Sequence, residues 1–130
     1  MLLYLDTSAL VKLVVREDET AALLAALAGA ELVTSALART ELARAVTRAG
    51  VGSRQARADQ VLARTAQLVI DDGTLDRAGT LLPPALRSLD AVHVAAALGL
   101  ADRLDGLITY DVRMAAAARA HGLTVRSPGR

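Results

Sequence analysis

Apolar residues along the chain follow two alternating rhythms, short continuous runs and longer stretches with helical spacing. Met1–Leu5 is an apolar run that ends abruptly at Asp6, as a buried strand would. Thr7 and Ser8 are good helix-start residues, and the spacing predicts a helix over Ala9–Val15. A second helix opens at Asp18 or Glu19 and runs through Ala28 to Gly29, before a strand at Glu31–Thr34. From Ser35 the apolar residues Leu37, Leu42, Ala45, Val46 and Ala49 recur at helical spacing, and Ser53 begins a further helix reaching about Arg64. Leu68-Val69-Ile70 reads as a third strand, closed by the Asp71-Asp72-Gly73 turn. Leu75–Leu82 reads as a short helix ended by Pro83-Pro84. Ser88 is expected to cap a long helix from Leu89 to about Ala101. Gly106–Thr109 then gives a strand, Arg113–His121 a helix and Leu123–Val125 a last strand. Ser127–Arg130 is expected to be a loose tail.

Short, continuously apolar strands alternating with helices describe a parallel sheet covered on both faces. The expected fold is α/β, a three-layer α/β/α sandwich with a central parallel sheet. At 130 residues it forms one domain spanning 1–126. The chain is 53% hydrophobic, yet Tyr4 and Tyr110 are its only aromatics, so the core must be built from Leu, Val, Ile and Ala. The lack of aromatics also removes the stacking platforms on which many single-strand binders rely. The absence of cysteine excludes disulfides, thiolate metal sites and thiol catalysis. Asp6 and Lys12 interrupt the apolar N-terminus before a signal-peptide core can form. No uncharged run nears the roughly 20 residues of a membrane span, so a cytoplasmic chain with no membrane contact is expected.

Net charge is only +1, but its distribution is uneven. Lys12 is the sole lysine, and Arg39, Arg44, Arg48, Arg54, Arg57 and Arg64 crowd one central stretch. Such a run is either a solvated helix face or a surface for phosphate, which the planar guanidinium suits.

Chemistry is expected beyond the carboxyl ends of the strands, where open α/β sheets bind ligands. Asp6 and Asp111 directly follow strands, Asp90 lies in the first turn of a helix, and Glu41 lies in the first two turns of another. All four can converge on one edge. Two unit charges about 4 Å apart repel by about 4 kcal/mol at an effective dielectric near 20, so such a cluster calls for protons or cations. Oxygen donors select hard ions such as magnesium, with manganese as a substitute. Each residue also has a structural reading: Asp6 as a turn or cap residue, Asp90 as a partner of the helix dipole, Glu41 as a partner of Arg44.

The run Tyr4-Leu5-Asp6-Thr7-Ser8-Ala9-Leu10-Val11-Lys12-Leu13 resembles the opening of PIN domains. Thr40-Glu41-Leu42 is similar to their second acidic motif, Leu86–Ala97 around Asp90 to the third, and Thr109–Met114 around Asp111 to the fourth. The motifs stand in family order over nearly the whole chain, which resembles the VapC toxins of bacterial toxin–antitoxin pairs. The resemblance implies magnesium-dependent cleavage of RNA of the tRNA or rRNA class, with Asp6, Glu41, Asp90 and Asp111 as metal-binding and catalytic residues. It also implies a homodimer and a cognate antitoxin protein that occupies the site.

Thr7 or Ser8 is expected to orient Asp6, and Thr109 to orient Asp111. Arg87 and Arg113 either grip substrate phosphate or form structural ion pairs. His93 lies one turn after Asp90 and could touch the site, but its Val and Ala neighbours favour a core-packed histidine; His121 reads as a helix-end residue suited to the dipole. A phosphohydrolase of the aspartyl-phosphate type is the nearest rival, but it needs a second Asp where Ser8 stands and a lysine near the site. A non-catalytic PIN-like binding module is the other alternative, and the presence of all four carboxylates argues against it.

Overall fold

In a computed structural model, residues 1–50 and 53–130 are described. The elements run β1 (Leu2–Leu5), α1 (Thr7–Val14), α2 (Thr20–Leu27), β2 (Glu31–Ser35), α3 (Leu37–Ala49), α4 (Ser53–Ala63) and β3 (Ala66–Leu68). They continue with α5 (Asp72–Gly79), α6 (Ser88–Leu98), β4 (Gly106–Ile108), α7 (Val112–Ala120) and β5 (Val125–Arg126). All sheet pairings are parallel, in the order β3-β2-β1-β4-β5. Leu3 sits at the centre, opposite Leu32 on one side and Gly106 on the other.

Strand side chains alternate between faces, and here that alternation builds two separate cores. Leu3, Leu5 and Ile108 pack with Leu10, Leu23, Leu42 and Val61 of α1–α4. Tyr4, Val33 and Leu107 face the other way, against Val94, Ala97, Met114 and Ala118 of α6 and α7. Small alanines on those two helices let them lie close to the sheet without large aromatics. The result is the expected three-layer sandwich. No helix among the described residues is long and apolar enough to cross a membrane.

The sheet order has a functional consequence. The chain moves outward from β1 through β2 to β3, then returns to the other side of β1 with β4 and β5. The direction reverses between β1 and β4, and the carboxyl ends of those strands flank the resulting crevice. Asp6 follows β1, and Thr109 to Asp111 follow β4.

Several boundaries differ from the sequence expectation. The third strand is Ala66–Leu68, not Leu68–Ile70, and Val69 is 82% exposed. As an edge strand with β2 on one side only, it is fixed by backbone pairing with Val33–Ser35 and not by burial of its apolar run. The helix expected at Leu75–Leu82 is Asp72–Gly79, because the Asp71 carboxylate caps it by accepting from the Thr74 amide at 2.8 Å. Ser88 is not a cap: Arg87 holds the extended N-cap position without a side-chain bond, and Ser88 is the first helical residue.

The last residues, expected to be loose, make specific contacts. Ser127 Oγ donates to Thr109 O at 2.6 Å, and the Tyr110 hydroxyl donates to Pro128 O at 2.8 Å. Arg130 donates to Glu19 at 2.8 Å and to Tyr110 O at 3.3 Å. Glu19 in turn receives Lys12 Nζ at 3.0 Å, and that ammonium lies 4.7 Å from the Tyr110 ring centre. Arg130 and Lys12 together hold the Glu19 carboxyl down at about 2.

Urea melts can test the edge-strand assignment. Leu10→Ala, in the fully buried core, is expected to cost about 2–5 kcal/mol. Val69→Ala should change stability by no more than about 0.5 kcal/mol, whereas a Val69 that belonged to the strand core would cost more.

Candidate functional site

Asp6 is the centre of the site. It is only 2% exposed and caps α1, with Oδ1 accepting from the Ala9 amide at 3.0 Å and from Ser8 Oγ at 2.6 Å. Its other oxygen, Oδ2, accepts from Thr109 Oγ1 across the β1–β4 junction. Burial pushes the Asp6 carboxyl above its ordinary value, against the hydrogen bonds from Ser8, Thr109 and Ala9, which pull it down.

Thr109 and Ser8 also tie the β4–α7 corner to this carboxylate. Thr109 Oγ1 accepts from the Asp111 amide at 3.1 Å, and Ser8 Oγ accepts from the Tyr110 amide at 2.9 Å. Asp111 then caps α7 through Oδ1, which accepts from the Met114 amide at 2.8 Å. Thr109 therefore holds the backbone of Asp111, while its hydroxyl hydrogen goes to Asp6.

Thr7, the other candidate partner of Asp6, serves Glu41 instead. Its hydroxyl donates to Glu41 Oε1 at 2.6 Å. His93 Nε2 reaches the same oxygen at 2.6 Å, and Nδ1 on the far side of the ring meets the Tyr4 hydroxyl at 2.7 Å. Glu41 thus pairs with His93 and not with Arg44. Burial raises the Glu41 carboxyl, but the bonds from His93 and Thr7 outweigh it, and the net displacement is downward.

Asp90 and Asp111 share one cation. Arg87 Nε lies 3.6 Å from Asp90 Oδ2, and its terminal nitrogen lies 4.0 Å from Asp111 Oδ2. Burial and then the charge of Asp111 raise the Asp90 carboxyl, with Arg87 and His93 opposing. The fold thus gathers all four carboxylates at the switch-point edge, with charges close enough to act on one another. Arg113 makes no ion pair with any of them among the described residues; it borders a groove with Leu86, Ala116 and Ala120. His121 lies apart from the four carboxylates, its Nε2 donating to Leu82 O at 2.8 Å.

His93 carries both parts of its sequence reading, the favoured core position and the contact with the site. It is buried at 1% exposure, as a core residue is, yet both ring nitrogens serve the site. The available signal was its place three residues after Asp90, one turn along the same helix face.

The donors offered to a cation are all carboxylate oxygens, the chemistry of a hard divalent ion. Among the described residues no three His, Asp or Glu side chains form a group spaced to hold one ion directly. Magnesium retains several waters and is often bound through only one or two carboxylates, so this donor set fits it without a closed cage.

The two displacements have opposite consequences with pH. Asp90, whose carboxyl lies above its ordinary 3.8, adds stability that is present below that value and lost as pH rises through the folded value. Glu41, lowered from 4.5, adds stability present above that value and lost on acidification through the folded value. In chelator, Asp90→Asn should therefore melt progressively higher than the parent as pH is raised above about 4. Equal melting temperatures for the two proteins from pH 4 to 7 would contradict the crowding of Asp90.

Comparison with known proteins places this geometry. The model for the PIN domain matches residues 3–124. The chain is 46% identical over 127 residues to Ribonuclease VapC46 of Mycobacterium tuberculosis, covering 97% of each protein. It is 38% identical over 133 residues to Ribonuclease VapC47 of the same species, covering 98% of each. Its fold matches a chain in the crystal structure of VapBC2 from Rickettsia felis bound to a DNA fragment from their promoter, with TM-score 0.72, 18% identity and coverage of 98% and 99%. With an acidic switch-point edge on a five-stranded parallel sheet and relatives matched from end to end, the chain belongs to the PIN-domain family, among its VapC-type members.

Proposed function

We propose that this chain is a magnesium-dependent endoribonuclease, with manganese as a substitute ion, acting as the toxin of a toxin–antitoxin pair. The observation that carries the reading is the convergence of Asp6, Glu41, Asp90 and Asp111 at the switch point of a fold shared with proteins named as ribonucleases. Those four side chains would hold the ion. Bound there, magnesium supplies Lewis acidity, acidifying water and offsetting charge on the phosphodiester.

The protein's own groups have defined parts. Ser8, Thr109 and the Ala9 amide hold the Asp6 carboxylate in one orientation. Thr7 and His93 do the same for Glu41. Arg87 is 76% exposed and joined to Asp90 and Asp111 only by long contacts, so it can turn to a substrate phosphate. Arg39 and Arg44 line a cleft between α3 and α4 together with Thr40, the residue before Glu41, and give a phosphate backbone a second place to bind. Neither histidine is placed to activate a side-chain nucleophile: His93 is buried with both nitrogens engaged, and His121 bonds Leu82 O. In this reading water is the nucleophile, and cleavage leaves 5′-phosphate and 3′-hydroxyl ends.

The reading extends to partners in a cytoplasmic setting, with RNA of the tRNA or rRNA class as substrate. Leu89 and Val112, flanking Asp90 and Asp111, are 51% and 78% exposed. Apolar side chains at the rim of an acidic edge suit a protein that covers it, here a cognate antitoxin. The reading also includes a homodimer, in which a second copy would cover exposed apolar side chains such as Leu82. An aspartyl-phosphate mechanism finds no support, since Lys12, the sole lysine, is bound by Glu17 and Glu19.

Purified protein incubated with tRNA and rRNA should cut in magnesium and not in chelator. Asp6→Asn and Asp90→Asn should each lower the rate on the order of 10²-fold or more, since even residues behind the ligands cost 10- to 100-fold. Cleavage surviving both chelation and substitution, or a 2′,3′-cyclic phosphate at the product end, would overturn the reading. Arg87→Met should raise the KM for RNA about threefold to tenfold with little change in kcat, as loss of a phosphate contact made equally in ground and transition states requires.

A further inference from the structure

Tyr4, His93 and Glu41 come from β1, α6 and α3, three elements distant in sequence, and form one chain of hydrogen bonds. His93 Nε2 faces two oxygens, Glu41 Oε1 at 2.6 Å and Thr7 Oγ1 at 3.3 Å. A carboxylate offers only lone pairs. Thr7 has already given its single hydrogen to Glu41, so its oxygen also turns a lone pair toward the ring. A bare Nε2 would meet two acceptors, and it must therefore carry the hydrogen. Nδ1 is left to accept from the Tyr4 hydroxyl, 2.7 Å away. The two rings stand edge to face, with centres 5.9 Å apart and planes at 80°, so packing limits rotation as well.

We propose that Tyr4 fixes His93 as its Nε2–H tautomer and that His93 thereby positions Glu41 for cation binding, making both of them positioning residues. This rests on the reading of the acidic edge as a nuclease centre. The Tyr4 side chain is fully buried, and its hydroxyl has the bare ring nitrogen as its acceptor. Glu41 has a long side chain whose freedom must be lost on ordering. Short bonds from Thr7 and from the buried His93 lower that cost before a ligand arrives. Because Asp90 and His93 lie one turn apart on α6, the same helix presents one acidic residue and steadies another.

Nitrogen-15 NMR of the metal-free protein at neutral pH reads the tautomer directly. The expected spectrum has a proton on Nε2 and a bare, hydrogen-bonded Nδ1, and loses that single form in Tyr4→Phe. Binding of Mn2+ alone, followed by calorimetry, should weaken about 10- to 100-fold in His93→Leu. His93→Gln, whose amide can donate from the same place, should recover part of the loss, with Tyr4→Phe intermediate. Tyr4→Phe keeps the packed ring and serves where His93→Leu fails to fold. A wild-type proton on Nδ1, alone or together with one on Nε2, overturns the proposal, as does Mn2+ binding equal in all variants. The tautomer is read without metal or RNA, so a protein with the expected spectrum that cuts no RNA refutes the nuclease reading and not this hydrogen-bond chain.

Discussion

The burial of Asp6 is the constraint on which the rest of the structure turns. An ionised carboxylate removed from water is strongly disfavoured unless donors replace the lost hydration. Here three donors come from two places: Ser8 and the Ala9 amide in the first turn of α1, and Thr109 at the end of β4. The same carboxylate is the cap of α1, so helix initiation and site formation depend on one side chain. The β4–α7 corner is then set by the hydroxyls that serve Asp6, since Thr109 and Ser8 also receive the amides of Asp111 and Tyr110. A single desolvated charge thus coordinates two strand ends and two helix starts.

The acidic edge is not uniform. On the Asp6–Asp90 side, burial favours protonation of Asp6, and burial with the charge of Asp111 favours that of Asp90. On the Glu41 side, neighbouring donors favour the charged form. This division matters because a set of four equivalent carboxylates would be hard to hold together in an otherwise apolar sandwich. Arg87 relieves part of the repulsion from outside, between Asp90 and Asp111, while His93 and Thr7 act from inside.

The layer architecture is legible in the residue pattern because buried parallel strands leave short apolar runs and their helices leave periodic ones. Asp6 stands out for the same reason, as the first polar residue after such a run. Glu41 and Asp90 lie within helices, where position alone does not say which direction they face; the family likeness supplies that. Three features escape the sequence for separate reasons. Thr7 and Ser8 are adjacent, and their side chains diverge by about 100° around a helix, so which one meets Asp6 depends on what lies opposite. His93 has Val92 and Val94 as neighbours, and these report the helix it belongs to, not the glutamate it meets 52 residues away. The attachment of Ser127–Arg130 rests on Thr109, Pro128 and Glu19 meeting through tertiary contacts, with no local pattern to announce it.

The pairing of β1 with β4 has a consequence for the order of folding. Thr109 reaches Asp6 across 103 residues of chain, so the contact belongs to the late, non-local class whose loop-closure cost comes before its reward. A nascent chain grown only to Ala101 already holds Asp6, Glu41 and Asp90, yet it has no β4 to close the crevice or to supply the Thr109 hydroxyl. The centre is therefore complete only once β4 has been made and has paired with β1.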